Sequence, residues 1–213
     1  RAGALLRERL TTLPVCGHDD TCGARSSLLA ALARALILSE SGDERTDVVA
    51  IAREALECAP EDGPLRAQLL LVLADSLLFV EAADAVQVLD EAELLGADLG
   101  LLGIVAAART LRARASEIFG DRSASLAALE QVVASAGEET DLLVRLRAHY
   151  SLGVILLTSG QRSAAQVVLA DGWTLAQRHG RPWTPYATEC LLLSIVAAYE
   201  AGEWDRALEL ASG

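Results

Sequence analysis

The sequence of 213 residues contains no lysine, asparagine or methionine, and it is poor in aromatic residues and proline. Without lysine the chain can form no Schiff base and has neither a phosphate-loop lysine nor an amine nucleophile. Aromatic residues make up 4% of the chain and proline only 5 residues, which argues against β-sandwiches and barrels. No apolar run reaches the roughly 18 residues that a membrane-spanning helix needs.

Alanine and leucine are the abundant residues, with 39 of each. Both are strong helix formers, and the hydrophobic content of 52% is far above that of disordered chains. All 18 basic residues are arginine, and the net charge is -12. A charge of that sign repels phosphate backbones. The composition therefore predicts an all-α chain that makes no direct contact with nucleic acid.

An internal repeat of about 40 residues organises the chain. Three columns of residues carry it. The turn column contains Gly42, Glu81, Gly120, Gly160 and Gly202. Seven residues earlier stand Ala35, Ala74, Ala113, Gly153 and Ile195, and nine residues later stand Ile51, Asp90, Leu129, Leu169 and Ala211. A period of this length with small and apolar columns is typical of stacked helix pairs.

Each unit is expected to form two amphipathic helices around a tight turn. The first helices are predicted at Ser26–Ser41, Leu65–Val80, Leu101–Phe119, Asp141–Ser159 and Thr184–Ala201. The second helices are predicted at Thr46–Ala59, Ala83–Leu95, Arg122–Ala136, Arg162–His179 and Trp204–Ser212. Pro64 and the caps Thr46, Asp121 and Asp141 mark starts, while Gly96, Gly137 and Gly180 mark stops.

The spacing of Leu152-Gly153, Leu156, Gly160, Ala165 and Leu169 resembles that of the tetratricopeptide repeat. In that family a small residue of the first helix packs against a small residue of the second, and Gly153 facing Ala165 satisfies this. The resemblance implies an α-solenoid of about five helix pairs over residues 26–213, truncated in its last unit. Residues 1–25 do not follow the period and are expected to form an irregular segment or a partial helix.

Two phrases, Gly180 to Ala187 (GRPWTPYA) and Ala201 to Ala207 (AGEWDRA), give the chain a narrower likeness. They resemble the helical repeat region of large ATP-dependent LuxR-type transcription regulators. The resemblance implies a non-catalytic module that senses an effector or binds a protein, located in the cytoplasm. The chain itself carries neither the nucleotide-binding loop nor the DNA-binding helix of those regulators.

The family groove is lined by the first helix of each pair, and its positions in this sequence can be counted from the turn column. In the last two units they are Arg147, Tyr150, Val154 and Leu157, then Glu189, Leu192, Val196 and Tyr199. Asp75, Phe79 and Arg114 join them from earlier units. The expected occupant is a peptide, a protein domain or a small effector. Tyr150 and Tyr199 could instead fill gaps between neighbouring helices.

The segment from Cys16 to Cys22 places two thiols, His18 and two carboxylates within seven residues. Its Cys-x5-Cys spacing does not match structural zinc sites, so we interpret it as a polar loop and expect neither metal nor cofactor. His149 and Cys190 could approach each other through adjacent helices, but no oxyanion hole accompanies them. Cys58 and Cys190 are interpreted as small core residues.

The leading hypothesis is therefore a non-enzymatic interaction or sensing module of a transcription regulator. The alternatives are a scaffold segment of an unrelated tetratricopeptide protein and, less favoured, a helical enzyme domain. Self-association through the C-terminal helix pair is a further expectation, because Leu208 and Ala211 would present an apolar side without a neighbour.

Overall fold

A computed structural model describes Glu8 and residues 21–37, 45–78, 80–138 and 140–212 of the chain. Ten α-helices and no β-strand lie in this part. They are α1 (Thr21–Ile37), α2 (Arg45–Glu57), α3 (Pro64–Leu77), α4 (Ala82–Asp98), α5 (Leu102–Ile118), α6 (Arg122–Ser135), α7 (Leu142–Thr158), α8 (Arg162–Arg178), α9 (Pro185–Glu200) and α10 (Trp204–Ser212). The odd-numbered helices are the predicted first helices and the even-numbered ones the second.

The predicted helix boundaries agree with the structure to within a few residues, with three differences. Helix α1 begins at Thr21 rather than Ser26. Helix α2 begins at Arg45, so Thr46 lies inside it and is not its cap. Helix α4 runs through Gly96, which was predicted to end it, and closes at Asp98. Gly96 is buried, and a Cβ atom there would lie 2.8 Å from Ile104 Cγ2. Its lack of a side chain serves packing rather than termination.

Two predicted caps at helix starts are confirmed. The Asp121 carboxylate accepts a hydrogen bond from the Ala124 backbone N–H at 3.0 Å, and the Asp141 carboxylate accepts one from Leu143 at 2.8 Å. Each satisfies a backbone donor that has no partner inside its helix, which stabilises the helix by about 1 kcal/mol.

The turn between α7 and α8 shows why glycine marks the repeat. Gly160 has φ of 76°, a left-handed conformation that only glycine adopts without strain. The next N–H, that of Gln161, donates back to the Leu156 carbonyl at 2.9 Å and closes the helix end. Four other helix ends share the positive φ and this bond, at Gly100, Gly120, Gly180 and Gly202.

The turn between α3 and α4 is built differently and corrects the predicted register. Glu81 precedes the first residue of α4, as Gln161 precedes that of α8, so the glycine slot belongs to Val80 and not to Glu81. The buried apolar residue of α4 is accordingly Leu89, and Asp90 is exposed. The prediction was displaced by one residue because this turn contains no glycine.

The chain divides into two compact units, Arg1–Leu111 and Arg112–Gly213. In the first unit α1 packs on α2, α2 on α3, α3 on α4, and α1 also on α3. In the second unit α6 packs on α7, α7 on α8, α8 on α9, and α9 on both α7 and α10. Each helix pair is packed internally, and the first helix of a pair also contacts the first helix of the next pair. This is the contact pattern of stacked helix pairs.

One cluster of the first unit's core lies beside a buried polar contact. Leu29, Ala30, Ala55 and Leu69 form a buried cluster between α1, α2 and α3. At its edge the Ser26 hydroxyl donates to the Ala55 carbonyl at 2.9 Å. This buried hydroxyl therefore has its hydrogen bond, as burial requires.

In the second unit, α7 and α8 approach so closely that one position has no room for a side chain. A Cβ atom at Gly153 would lie 2.4 Å from Leu169 Cδ2 and 2.6 Å from its Cγ. Leu169 and Ala165 are both fully buried in the main cluster of this unit. The predicted small residue is thus required, and the side chain nearest to it is that of Leu169.

The two cysteines whose side chains the structure describes differ in state. Cys190 is buried and free, whereas Cys58 is buried and disulfide-bonded. The interpretation as a small core residue fits Cys190 and is incomplete for Cys58. Cys16 and His18 of the predicted polar loop lie outside the described residues, whereas Cys22, predicted to end that loop, belongs to α1.

Candidate functional site

A cleft of about 240 Å³ opens on the second unit between α5 and α7. We call it the α5–α7 cleft. Its lining residues are Arg114, Glu117 and Ile118 of α5, Leu129 of α6, and Tyr150, Ser151, Val154 and Ile155 of α7. Three of the predicted groove residues, Arg114, Tyr150 and Val154, therefore border one cavity.

The cleft combines an apolar floor with a polar rim. Leu129 and Ile155 at its base are fully buried core residues. Arg114, Glu117 and the Tyr150 hydroxyl supply charged and hydrogen-bonding groups. Pockets for drug-sized ligands measure about 300–1,000 Å³, so this cleft is suited to something smaller, such as one or two side chains of a bound segment.

Next to the cleft, Tyr150 of α7 contacts the beginning of α9. The ring centroids of Tyr150 and Tyr186 are 5.7 Å apart, with the planes tilted by 36°. The Arg147 guanidinium carbon lies 5.6 Å from the centroid of Tyr186, a cation–π distance. Arg147 and Tyr150 thus hold α9 against α7. Tyr150 both packs between these helices and lines the cleft.

The environment of Tyr150 keeps its phenol protonated. Burial raises the pKa of the Tyr150 hydroxyl above its ordinary value, and the negative charge of Glu189 raises it further. Arg114 and Arg147 act in the opposite direction, with smaller effects than burial. The hydroxyl is consequently a neutral hydrogen-bond donor at the rim of the cleft.

Three predicted residues of α9 form an exposed apolar row. Leu192, Val196 and Tyr199 are 51%, 39% and 67% exposed. Their spacing of four and then three residues places them on one side of the helix. We call this row the α9 stripe. Glu189 stands three residues before it and is half-buried.

The remaining predicted residues lie elsewhere. Asp75 is on α3 in the first unit, where its side chain is only 7% exposed. Counting from Val80 instead of Glu81 assigns its groove position to Ala74. Leu157 is half-buried against the main cluster, and Phe79 lies outside the described residues.

Sequence reasoning missed Tyr186, Glu117, Ile118 and Ser151. Tyr186 stands directly after Pro185, the first residue of α9, and an aromatic residue beside a helix start was the available signal. The other three could not be found by counting from the turn column, because they depend on how α5 and α7 are placed.

His149 and Cys190 come together, but not as a catalytic pair. Both border Gly172 of α8, where a Cβ atom would lie 2.9 Å from Cys190 Sγ and 3.0 Å from His149 Cβ. Burial raises the pKa of the Cys190 thiol to about 12 and lowers the pKa of His149. The Nδ1–H of His149 donates to the Arg145 carbonyl at 2.9 Å. A thiol with so high a pKa is not a nucleophile.

In the described part of the chain, no three histidine, cysteine, aspartate or glutamate side chains are grouped to hold a metal ion. The predicted loop from Cys16 to Cys22 is not covered by that statement. Among the helices of the same part, none is long and apolar enough to cross a membrane.

Solved structures with the same arrangement of helices are repeat proteins. A kinesin light chain-like protein of Podosopora anserina with nearly identical TPR-like repeats superposes with a TM-score of 0.61 at 19% identity, covering 92% of this chain and 94% of that one. BtubC (BKLC) from P. vanneervenii superposes at 0.64 and 18% identity, covering 100% and 87%.

A Rap protein complexed with Competence and Sporulation Factor superposes with a TM-score of 0.68 at 14% identity, covering 98% of this chain and 62% of that one. Identities this low show a common fold alone. The chain is therefore an all-α protein with a tetratricopeptide-like helical-repeat fold, an α-solenoid. No protein-family model matches it, and neither does any curated protein sequence.

Proposed function

We propose that this chain is a non-catalytic interaction module that binds a peptide, a protein domain or a small effector in the second unit. The site consists of the α5–α7 cleft and the adjoining side chains of α7 and α9. The observation that carries the proposal is the cleft itself, since an apolar floor beneath a polar rim is what an anchoring side chain requires.

The comparison structures support a binding role for this fold. One of them, the Rap protein, is seen in complex with Competence and Sporulation Factor. The buried, protonated thiol of Cys190 and the neutral His149 also favour a role in binding over one in catalysis.

The proposal includes the setting of a LuxR-type transcription regulator in the cytoplasm. The two sequence phrases that suggest it frame α9, and the first contains Trp183, which is exposed. A parent protein with a nucleotide-binding loop before this segment and a helix-turn-helix after it would support this setting. A parent without them would favour the alternative, a scaffold segment.

Because disulfides are rare in a reducing cytoplasm, Cys58 should be largely reduced in cells if the location is correct.

Selection of peptides tests the binding role directly. A random-peptide phage library is selected on the purified chain, and the affinities of enriched peptides are measured by calorimetry. Val154→Trp should fill the α5–α7 cleft and weaken binding roughly tenfold or more, which corresponds to about 1.4 kcal/mol.

The matched control is Val167→Trp, which makes the same change at an exposed position of α8. It should leave affinity unchanged, and both variants should keep the circular dichroism of the parent. Failure to enrich any peptide, or peptides that bind both variants equally well, would overturn the cleft as the site.

A further inference from the structure

The α9 stripe can be compared with the corresponding row on α7. Counting from Gly202 and from Gly160, Leu192 corresponds to Tyr150, Val196 to Val154 and Tyr199 to Leu157. The α7 residues are half-buried, and α9 packs alongside that helix, with Tyr186 against Tyr150. The α9 residues are all exposed. The stripe thus repeats a row that, on α7, takes part in packing against another helix.

The charge around the α9 stripe distinguishes between its possible binding partners. Residues 185–212, which comprise α9, α10 and the turn between them, contain five carboxylates and one arginine. The carboxylates are Glu189, Glu200, Glu203, Asp205 and Glu209, and the cation is Arg206. The whole chain is also acidic, with a net charge of -12. Complementary charge favours a partner and like charge opposes one.

We propose that the α9 stripe binds an amphipathic helix of a partner protein whose polar flanks are basic. Such a helix places apolar side chains between Leu192, Val196 and Tyr199, as ridges in grooves. Its arginine or lysine residues face the carboxylates of α9 and α10. Two of these carboxylates also form ion pairs within the chain, Glu200 with Arg162 at 3.7 Å and Glu203 with Arg206 at 3.5 Å, which leaves the region with a surplus of negative charge. A second copy of this chain would instead bring acidic flanks against acidic flanks. The proposal rests on the proposed function and specifies the partner of the α9 part of the site.

A model peptide tests the inference without knowledge of the natural partner. The probe is a synthetic helix of about 18 residues, roughly five turns, with leucine in the a and d positions and lysine elsewhere. One control peptide has glutamate in place of lysine. A second has the composition of the probe with its leucines dispersed, so that it keeps the charge and lacks the apolar side.

Calorimetry at low salt should show the basic amphipathic peptide binding about tenfold or more tightly than either control. Salt should weaken it, because exposed charges are screened. Leu192→Ser combined with Tyr199→Ser should reduce its affinity about tenfold or more. Val167→Ser on α8 should not, although Val167 is 61% exposed. Melting temperatures of both variants confirm that each is folded.

If the peptide with dispersed leucines bound as tightly as the probe, charge attraction alone would explain the binding and the proposal would be overturned. Stripe variants that bind the probe with wild-type affinity would also overturn it. Sedimentation equilibrium could also show that the wild-type chain dimerises while the stripe variants stay monomeric. That result would assign the stripe to a second copy of the chain and would overturn the proposal. Peptides from the phage selection that respond to Val154→Trp while the basic helix fails would leave the proposed function intact and remove only this inference.

Discussion

Two helix pairs of the same repeat solve the same packing problem in different ways. In the second unit, α7 and α8 approach most closely at Gly153, where the Leu169 side chain occupies the space that a Cβ atom would need. The turn between these helices contains Gly160 with a positive φ. In the first unit, the corresponding positions of α3 and α4 are Leu73 and Val80. Leu73 is buried, and Val80 has no positive φ.

The faces of the two first helices differ as well. Tyr150, Val154 and Leu157 of α7 are half-buried, and the first two line the α5–α7 cleft. Their counterparts on α3 are Leu70, Ala74 and Leu77, which are fully buried. One repeat position therefore serves core packing in one unit and leaves a cleft in the other. The repeat specifies the helix pair, while the individual side chains decide whether a cleft forms.

The largest effect is expected where the α7–α8 approach is closest. Gly153→Val should lower the free energy of unfolding by about 3 kcal/mol, because its side chain must displace the fully buried Leu169. Leu73→Val at the corresponding position of α3 only removes a methylene and should cost about 1 kcal/mol. Urea unfolding followed by circular dichroism measures both.

A double-mutant cycle sharpens this result. Leu169→Ala makes room beside position 153, so the combined variant should be less destabilised than the two single changes predict together. Strict additivity, or a harmless Gly153→Val, would show that the close approach does not limit the packing of this pair.

A smaller loss is expected for Tyr150→Ala, at about 2 kcal/mol, because the ring packs on Tyr186 and on the main cluster. Tyr199→Ala should change stability by less than about 0.5 kcal/mol, since its side chain is exposed. Thermal melts of the two variants compare the α7 row with the α9 stripe. Equal losses would mean that Tyr199 is also a packing residue and would weaken the case for the stripe as a binding surface.

Much of the fold could be predicted from the sequence because its signals are local. The predicted helices lie close to the observed ones, and the caps Asp121 and Asp141 make their bonds. The turn glycine Gly160 is also a local signal, since its φ depends on four or five neighbouring residues. Local rules fail at Gly96, where a buried contact with Ile104, distant by eight residues, explains the glycine.

The site was predictable only in part, for a related reason. Helical spacing and the turn column found Arg114, Tyr150 and Val154, which do line the cleft. The contact of Tyr150 with Tyr186 depends on the angle at which α9 meets α7, which no spacing encodes. Counting from Glu81 assigned Asp75 to the groove and counting from Val80 assigns Ala74, because a turn without glycine gives no mark from which to count.

Exchange of the glycine in one turn and of the non-glycine residue in the other should lower the free energy of unfolding in both cases. Gly160→Ala is expected to cost about 1 kcal/mol, because alanine must adopt a φ of 76°. Val80→Gly should also lower the free energy of unfolding, by about 0.5–1 kcal/mol. Glycine raises the conformational entropy of the unfolded chain, and Val80 has no backbone strain for it to relieve. Chemical unfolding of both variants gives the comparison. If Val80→Gly were stabilising, the α3–α4 turn would be a strained version of the α7–α8 turn and not a different one.

A small effect is expected at Ser125, and its sign is the opposite of the others. Ser125, Ala85 and Ala165 occupy the same position, because the N–H of each donates to the carbonyl of the residue that precedes its helix. Ser125 is fully buried, and its hydroxyl has no hydrogen-bond partner among the described residues. A buried hydroxyl without a partner costs about 1 kcal/mol or more. Ser125→Ala should therefore raise the free energy of unfolding by up to about 1 kcal/mol, and Ala165→Ser should lower it by a similar amount. A Ser125→Ala variant less stable than the parent would show that the hydroxyl is bonded in solution, for example to a buried water beside α6.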